Sequence, residues 1–60
     1  EIYFSEEKQL WGKSYKDCLF AFEESSIIGV FTDQGQALLN PKMDYVLQDG
    51  DKLIATIFII

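Results

Sequence analysis

The stretch KLIATIFII, residues 52–60, decides the fold of this chain. It is rich in β-branched and aromatic residues and follows the turn-forming residues 48–51, so it predicts a long final strand. Alternate residues of a strand point to opposite faces, and here both faces are apolar or nearly so. A chain of 60 residues can scarcely cover both. An exposed apolar face marks an association surface, so we expect Ile54, Ile57 and Ile59 to form an interface.

The region before that strand predicts a hairpin. β-branched and aromatic residues crowd together over residues 26–32, which indicates a largely buried strand interrupted by Gly29. Residues 33–36 supply turn chemistry, and residues 37–39 form the second strand. Asn40-Pro41 ends this second strand, because proline has no amide proton for a ladder.

The N-terminal third predicts one strand and the main helix. Residues 2–4 are β-prone and indicate a short strand. Ser14 and Asp17 have the spacing of a capping box at a helix N-terminus. The residues that follow share one apolar face at helical spacing; they are Tyr15, Cys18, Leu19 and Phe22. We expect this helix to end near residues 23–25.

These elements predict a single α+β domain over residues 1–60. Its order is β-α-β-β-turn-β, with one main helix on a sheet in two layers. Residues 42–48 are expected to be irregular and anchored to the core by four side chains, namely Met43, Tyr45, Val46 and Leu47.

Composition excludes several classes of partner. Ten acidic residues face five lysines and no arginine, for a net charge of −5, which argues against nucleic acid and anionic lipid. A lone cysteine, Cys18, fits a reducing cytosolic compartment. The longest apolar run is far shorter than the roughly 20 residues that span a bilayer, so no direct membrane insertion is expected. The chain begins at Glu1 and stops inside an apolar run, so we expect a piece of a larger protein.

The sequence favours a protein that is not an enzyme and holds no cofactor. It has no histidine, and no carboxylate pair lies in an apolar segment. The glycines lie singly at 12, 29, 35 and 50, so neither the dinucleotide nor the phosphate-loop pattern is present. Cys18 lies on the apolar helix face and is better explained as a buried core thiol than as a nucleophile.

Two weaker candidates for a site come from the acidic and aromatic residues. Asp49 and Asp51, near Asp44, could hold Ca²⁺, although their spacing differs from the twelve-residue calcium loop. Solvated turn residues are the alternative. The aromatic residues Tyr3, Trp11, Tyr15 and Tyr45 could line a partner surface, but core packing is the more frequent role in so small a domain.

The C-terminal half resembles a known family. Pro41, Asp44, Val46-Leu47, Gly50-Asp51 and Leu53-Ile54 occur in the order typical of the TrkA C-terminal type of domain, the C-terminal lobe of a regulator of potassium conductance. Upstream, Leu10 and Gly12-Lys13-Ser14 are similar to the entry of that family's helix.

A narrower resemblance is to the CASTOR and POLLUX group of ion channels. It is carried by the run Asn-Pro-x-x-Asp-Tyr-Val-Leu-Gln-acid-Gly-Asp, residues 40–51, and by Phe20-Ala21-Phe22 and Ile28-Gly29-Val30.

The resemblance implies a regulatory module on the cytoplasmic side of a potassium or cation channel or transporter. It implies a lobe that pairs with a copy of itself, beside a dinucleotide-binding lobe and a membrane pore of the parent protein. Self-association would then bias gating, as differential affinity shifts a population. A domain that senses a small molecule or Ca²⁺ at the lobe or dimer interface is the alternative.

Overall fold

The computed structural model describes residues 1–22 and 25–57, with the backbone alone described for residues 25 and 57. Within these ranges, a four-stranded antiparallel sheet is built from β1 (Ile2–Ser5), β2 (Ser25–Phe31), β3 (Ala37–Leu39) and β4 (Lys52–Ile57). A 3₁₀ helix (Lys8–Leu10) and the α-helix α1 (Tyr15–Leu19) lie between β1 and β2 in sequence. The α+β class is therefore correct, and the predicted elements occur in the predicted order.

The strand order β1-β4-β2-β3 places β4 between β1 and β2. Ile54 lies opposite Phe4 on one side and opposite Gly29 on the other. Because β4 has a neighbour on each side, its backbone groups are paired with both β1 and β2. The described part of the apolar stretch, Lys52–Ile57, is thus an inner strand of the sheet.

One face of the sheet carries the core. The buried cluster joins Val30 of β2 and Leu53 of β4 to residues from the helices and the loop before β4; these are Leu10, Tyr15, Cys18 and Leu47. We call this the helix-covered face. Burying such side chains contributes about 1.5–3 kcal/mol each, so this cluster is the main source of stability.

The opposite face, called the open face below, carries Phe4, Phe31 and Ile54. Cross-strand partners point to the same face, and Phe4 pairs with Ile54 while Phe31 pairs with Lys52. The rings of Phe4 and Phe31 stack with their centroids 5.0 Å apart and an angle of 10° between their planes. Because these residues come from the strands on either side of β4, their rings meet over the central strand.

The expectation that β4 exposes an apolar face is wrong for the part of the strand whose side chains are described. Leu53, Ile54 and Ala55 are only 1%, 4% and 7% exposed. Core residues cover Leu53, and Ile54 lies between flanking strands that carry the stacked phenylalanines. Among the described side chains of the sheet, the exposed large apolar ones lie instead on the two outer strands, with Ile2 and Leu39 each 65% exposed.

The main helix is shorter than predicted. It ends at Leu19, followed by Phe20, whose amide donates to the carbonyl oxygens of Asp17 and Cys18. Ala21 then donates to Cys18 over only three residues, which tightens and ends the turn. Phe22 lies beyond the helix yet still packs against the core. The predicted end at 23–25 falls in part outside the described residues, and β2 already begins at Ser25.

Two of the four expected core anchors before β4 are on the surface. Leu47 is buried and Tyr45 packs against the core, whereas Met43 is 53% and Val46 45% exposed. Tyr45 and Leu47 are two residues apart in an extended segment, so the intervening Val46 points outward.

Candidate functional site

The residues that carry the family resemblance meet in space as two paired backbone segments, 12–16 and 43–47. Ser14 and Val46 form an antiparallel bridge. The Leu47 carbonyl accepts from the Gly12 amide, and the Leu47 amide donates to the Lys13 carbonyl, both at 2.9 Å. The Gly-Lys-Ser segment and the Tyr-Val-Leu segment are thus joined by hydrogen bonds between sequence-distant backbone groups.

This pairing also satisfies the N-terminus of α1. The first two amides of the helix donate to the carbonyl oxygens of Tyr45 and Met43, at 2.6 and 3.0 Å. The third, from Asp17, donates to the Ser14 hydroxyl oxygen at 3.2 Å. The predicted cap by Ser14 is therefore confirmed, and the loop before β4 supplies acceptors for amides that a helix leaves unpaired.

Asp51 holds the end of this loop. Its side chain is 2% exposed, and its Oδ2 accepts from the Tyr45 hydroxyl at 2.6 Å and from the Gln48 amide at 2.9 Å. The indole Nε1 of Trp11 donates to the Asp51 carbonyl oxygen at 3.0 Å. We call these four residues the Asp51 clasp. A buried carboxylate is stable only when it is hydrogen-bonded, as it is here.

The clasp perturbs the tyrosine that belongs to it. Burial is the main cause, and the hydrogen bond to Asp51 and the negative charge of that carboxylate add to it. Together they raise the pKa of Tyr45 to about 12. The neutral phenol, which donates the hydrogen bond, is therefore the form that the fold stabilises.

Gly50 brings the clasp against the β2–β3 turn. Its φ is +91°, and a Cβ built at this position would lie 2.9 Å from the Cβ and Cγ of Asp33. Only a residue without a side chain allows this approach and this backbone conformation together. Both residues of the Gly-Asp pair in the resemblance, Gly50 and Asp51, thus have a structural role.

An open cleft of about 680 Å³ lies between the β2–β3 turn and the turn at residues 48–51 before β4. Its walls come from the clasp and its neighbours and from the β2–β3 turn, and they include Trp11, Thr32, Asp33, Gln34, Tyr45 and Asp49. Three of the lining residues are aspartates, and the lining contains no lysine. The cleft therefore favours a cationic or neutral occupant over an anionic one.

The candidate metal residues Asp49 and Asp51 both line this cleft, but they differ in environment. Asp49 is exposed, whereas Asp51 is buried and uses one oxygen inside the clasp. Among the described residues, no three His, Cys, Asp or Glu side chains converge as metal ligands would. The Ca²⁺ hypothesis stays a prediction.

The candidate interface residues are placed only in part. Ile54 is nearly buried by its own chain, the side chain of Ile57 is not described, and Ile59 lies outside the described residues. Their role in an interface stays a prediction.

Cys18 lies in the core and is 0% exposed. Burial and, next, the negative charge of Asp17 raise the pKa of the Cys18 thiol, while Lys13 opposes the shift. A buried thiol that resists ionisation is a poor nucleophile, so the interpretation as a core residue is confirmed.

Sequence reasoning missed the contribution of the β2–β3 turn to the cleft. Asp33 and Gln34 are separated from Asp49 by at least fifteen residues, and no local pattern relates them. The one available signal was the Gly-Asp pair at 50–51, since a glycine in a turn often marks a close backbone approach.

Across residues 1–22 and 25–57, no helix combines the length and apolar composition needed to cross a bilayer.

Comparison with known proteins identifies the family. A family model described as "Castor and Pollux, part of voltage-gated ion channel" matches residues 1–58. The ion channel POLLUX of Lotus japonicus is 36% identical over 56 residues, covering 90% of this chain and 6% of that protein. The probable ion channel POLLUX of Arabidopsis thaliana is 36% identical over 55 residues, with 90% and 7% covered. The probable ion channel SYM8 of Pisum sativum is 36% identical over 56 residues, with 90% and 6% covered.

The chain thus spans only 6–7% of the length of these curated relatives. Because the family model covers nearly all of the sequence, the chain belongs to the Castor and Pollux family, a part of voltage-gated ion channels.

Proposed function

We propose that this chain is a non-enzymatic regulatory module of a cation channel, of the TrkA C-terminal type, which biases the pore by self-association on the cytoplasmic side of the membrane. The observation that carries the proposal is the family match over residues 1–58. The clasp adds support, because it joins the two sequence motifs of the resemblance into one structural unit.

The proposed mechanism is a population shift. A module that pairs differently in the open and closed channel changes the open probability by its difference in affinity for the two states. A dinucleotide-binding lobe and the membrane pore of the parent protein are the proposed neighbours through which the shift acts. The single buried thiol, Cys18, fits the reducing cytosol that the proposal requires.

The test is a recording of single channels formed by a channel polypeptide that carries this sequence. Asp51→Ala removes the acceptor of two hydrogen bonds and is expected to change the open probability several-fold while leaving the single-channel conductance unchanged. Asp44→Ala is the matched control, because Asp44 is an exposed carboxylate of the same loop.

An unchanged open probability in the Asp51→Ala channel would contradict a regulatory role. A changed conductance would instead indicate that this region belongs to the ion pathway. Equal changes in open probability from Asp51→Ala and Asp44→Ala would indicate that the loss of one negative charge, rather than the loss of the clasp, is the cause.

The cleft favours a second candidate function, the sensing of a cation or a small molecule. Its aspartates and the ring of Trp11 provide carboxylates and an aromatic face, which attract cations. Trp11 is the single tryptophan of the chain, so its fluorescence reports on the cleft. Titration with CaCl₂ should change this emission in the original chain and less in an Asp49→Asn variant. An emission that does not respond to Ca²⁺ would exclude calcium sensing at this cleft.

A further inference from the structure

The two outer strands of the sheet differ in how they are protected against pairing. β3 has three residues and ends at Leu39, followed by Asn40, with a φ of +50°, and by Pro41. β1 pairs with β4 in a continuous register from Ile2 to Ser5, without a bulge. It also contains no proline and no charged residue. Short length, proline, charge and bulges are the features that protect edge strands from pairing with another chain. Of these features, β1 has only its short length.

The outer side of β1 is also apolar. Ile2 is 65%, Tyr3 41% and Phe4 57% exposed, although all three are large side chains. Ile2 and Phe4 lie on the open face, since they pair with Thr56 and Ile54, and Tyr3 lies on the helix-covered face opposite Ala55. Both faces of this edge therefore present apolar surface to water, which pairing with another strand would partly remove.

Charge permits a second copy at this place. The chain carries a net charge of −5, so two copies repel each other over most of their surface. Residues 2–5 are uncharged, and the acidic residues Glu1 and Glu6 lie just beyond them. Two copies that meet along β1 bring these uncharged segments together, so no acidic residue of β1 itself faces the other copy.

Symmetry restricts the register of such a pair. In an antiparallel pair related by a two-fold axis, residues directly opposite each other point to the same face, so one residue of β1 lies opposite its own copy and the axis passes between the two. An axis at Tyr3 places Ile2 opposite Phe4 of the second copy and Glu1 opposite Ser5. An axis at Phe4 would place Ile2 opposite Glu6, an apolar residue opposite a charge. The register centred on Tyr3 is therefore favoured.

We infer that β1 pairs antiparallel with β1 of a second copy of this chain, about a two-fold axis at Tyr3, and so joins two four-stranded sheets into one of eight strands. The inference rests on the self-association in the proposed function and specifies its surface and register. In the pair, Ile2 of each copy extends the open face next to the stacked Phe4 and Phe31 of the other.

The first test compares two substitutions at equally exposed positions on opposite edges. Ile2 and Leu39 are both 65% exposed, so Ile2→Lys and Leu39→Lys introduce the same charge at positions with equal exposure to solvent. Sedimentation of the chain up to about 1 mM is expected to show a monomer–dimer equilibrium, with a dissociation constant raised about tenfold or more by Ile2→Lys and little changed by Leu39→Lys. Circular dichroism verifies that each variant keeps its strands.

A monomer over the whole concentration range would overturn the inference. Equal weakening by the two lysines would also overturn it, because that result indicates packing of the open face rather than pairing of the edge. In either case the open probability of the Asp51→Ala channel still tests the regulatory role separately.

The second test is a cross-link that depends on the register. With an axis at Tyr3, the two Tyr3→Cys residues face each other with Cα atoms about 4.5–5.5 Å apart, within the range of a disulfide. Mild oxidation should give a covalent dimer of the Tyr3→Cys chain and much less from Gln34→Cys, which is exposed in the β2–β3 turn. The native Cys18 is buried and stays reduced in both variants. Equal cross-linking at positions 3 and 34 would show random collision and contradict the register.

Discussion

At the scale of single residues, the clasp and the glycine beside it give the Gly-Asp motif a structural role. Asp51 accepts hydrogen bonds from a side chain and from the backbone, and Gly50 allows the chain to pass beside Asp33. Both residues act on the loop between β3 and β4. The position of that loop against the helix therefore depends on both residues.

The first prediction at this scale concerns two glycines with similar backbone conformations. Gly12 and Gly50 have φ values of +88° and +91°, but only a Cβ at Gly50 would approach Asp33 within 3 Å. Gly12→Ala is expected to cost about 1 kcal/mol of backbone strain, whereas Gly50→Ala adds an overpacking cost of about 1–3 kcal/mol. Urea denaturation measures both. Equal losses of stability would show that the contact with Asp33 relaxes freely.

The second prediction concerns the alkaline limit of stability. The pKa of Tyr45 is raised from 10.0 to about 12, so the neutral phenol is favoured in the folded state. Its contribution is complete below about pH 10 and is lost as the pH rises through about 12. Unfolding in urea at about pH 8 and about pH 11 should show a larger loss of stability for the original chain than for Tyr45→Phe. The other tyrosines titrate in both chains. An equal loss of stability in the original chain and in Tyr45→Phe would therefore contradict the assignment of the effect to Tyr45.

At the scale of elements, close backbone approaches determine how the strands fit together. The register between β2 and β4 shifts between Ile27 and Gly29, which is a β-bulge in a strand that the sequence predicts as interrupted at this glycine. A Cβ at Gly29 would lie 2.4 Å from the Leu38 carbonyl oxygen. The glycine is thus required by the neighbouring strand rather than by its own dihedral angles.

The prediction for this element is that Gly29→Ala pushes β3 away from β2. The expected cost is about 1–3 kcal/mol, because backbone rather than a flexible side chain occupies the space. The Asn40 amide, which donates to the Ile28 carbonyl at 3.0 Å, should then exchange faster with solvent deuterium. Ser26→Ala is the control at an exposed position of the same strand. Unchanged exchange at Asn40 would show that β3 stays in place.

At the scale of the whole molecule, one small core joins the two helices, β2, β4 and the loop before β4. Cys18 of α1, Val30 of β2 and Leu53 of β4 are each 1% exposed or less, and they belong to a single cluster. A chain of this size buries only about 60% of the surface that it exposes when unfolded, so the loss of this cluster removes the packing between the helices and the sheet. Unfolding is therefore expected to be cooperative.

The thiol of Cys18 provides the test of that cooperativity. Because it is buried and its pKa is raised, it should react with a disulfide reagent only when the domain opens. The labelling rate should rise with urea in parallel with the change in Trp11 fluorescence. Fast labelling in the absence of urea would show that α1 opens separately from the sheet.

Much of the local structure follows from the sequence by itself. Ser14 is followed by apolar residues at helical spacing, the β-branched run before Asp33 forms a strand, and proline ends β3 as predicted. These features depend on near neighbours in the chain, where side-chain periodicity and turn chemistry act directly. The Castor and Pollux resemblance was also readable, because a contiguous run of residues carries it.

Only the tertiary structure decided which surfaces are covered. The apolar stretch at residues 52–60 is typical of a buried strand, but whether its second face meets solvent depends on which strands lie beside it. β1 and β2 flank β4, Phe4 and Phe31 stack over it, and the exposed large apolar side chains described in the sheet lie on β1 and β3. Strand order and the contact of Gly50 with Asp33 join residues far apart in sequence, and local patterns contain no information about such pairings.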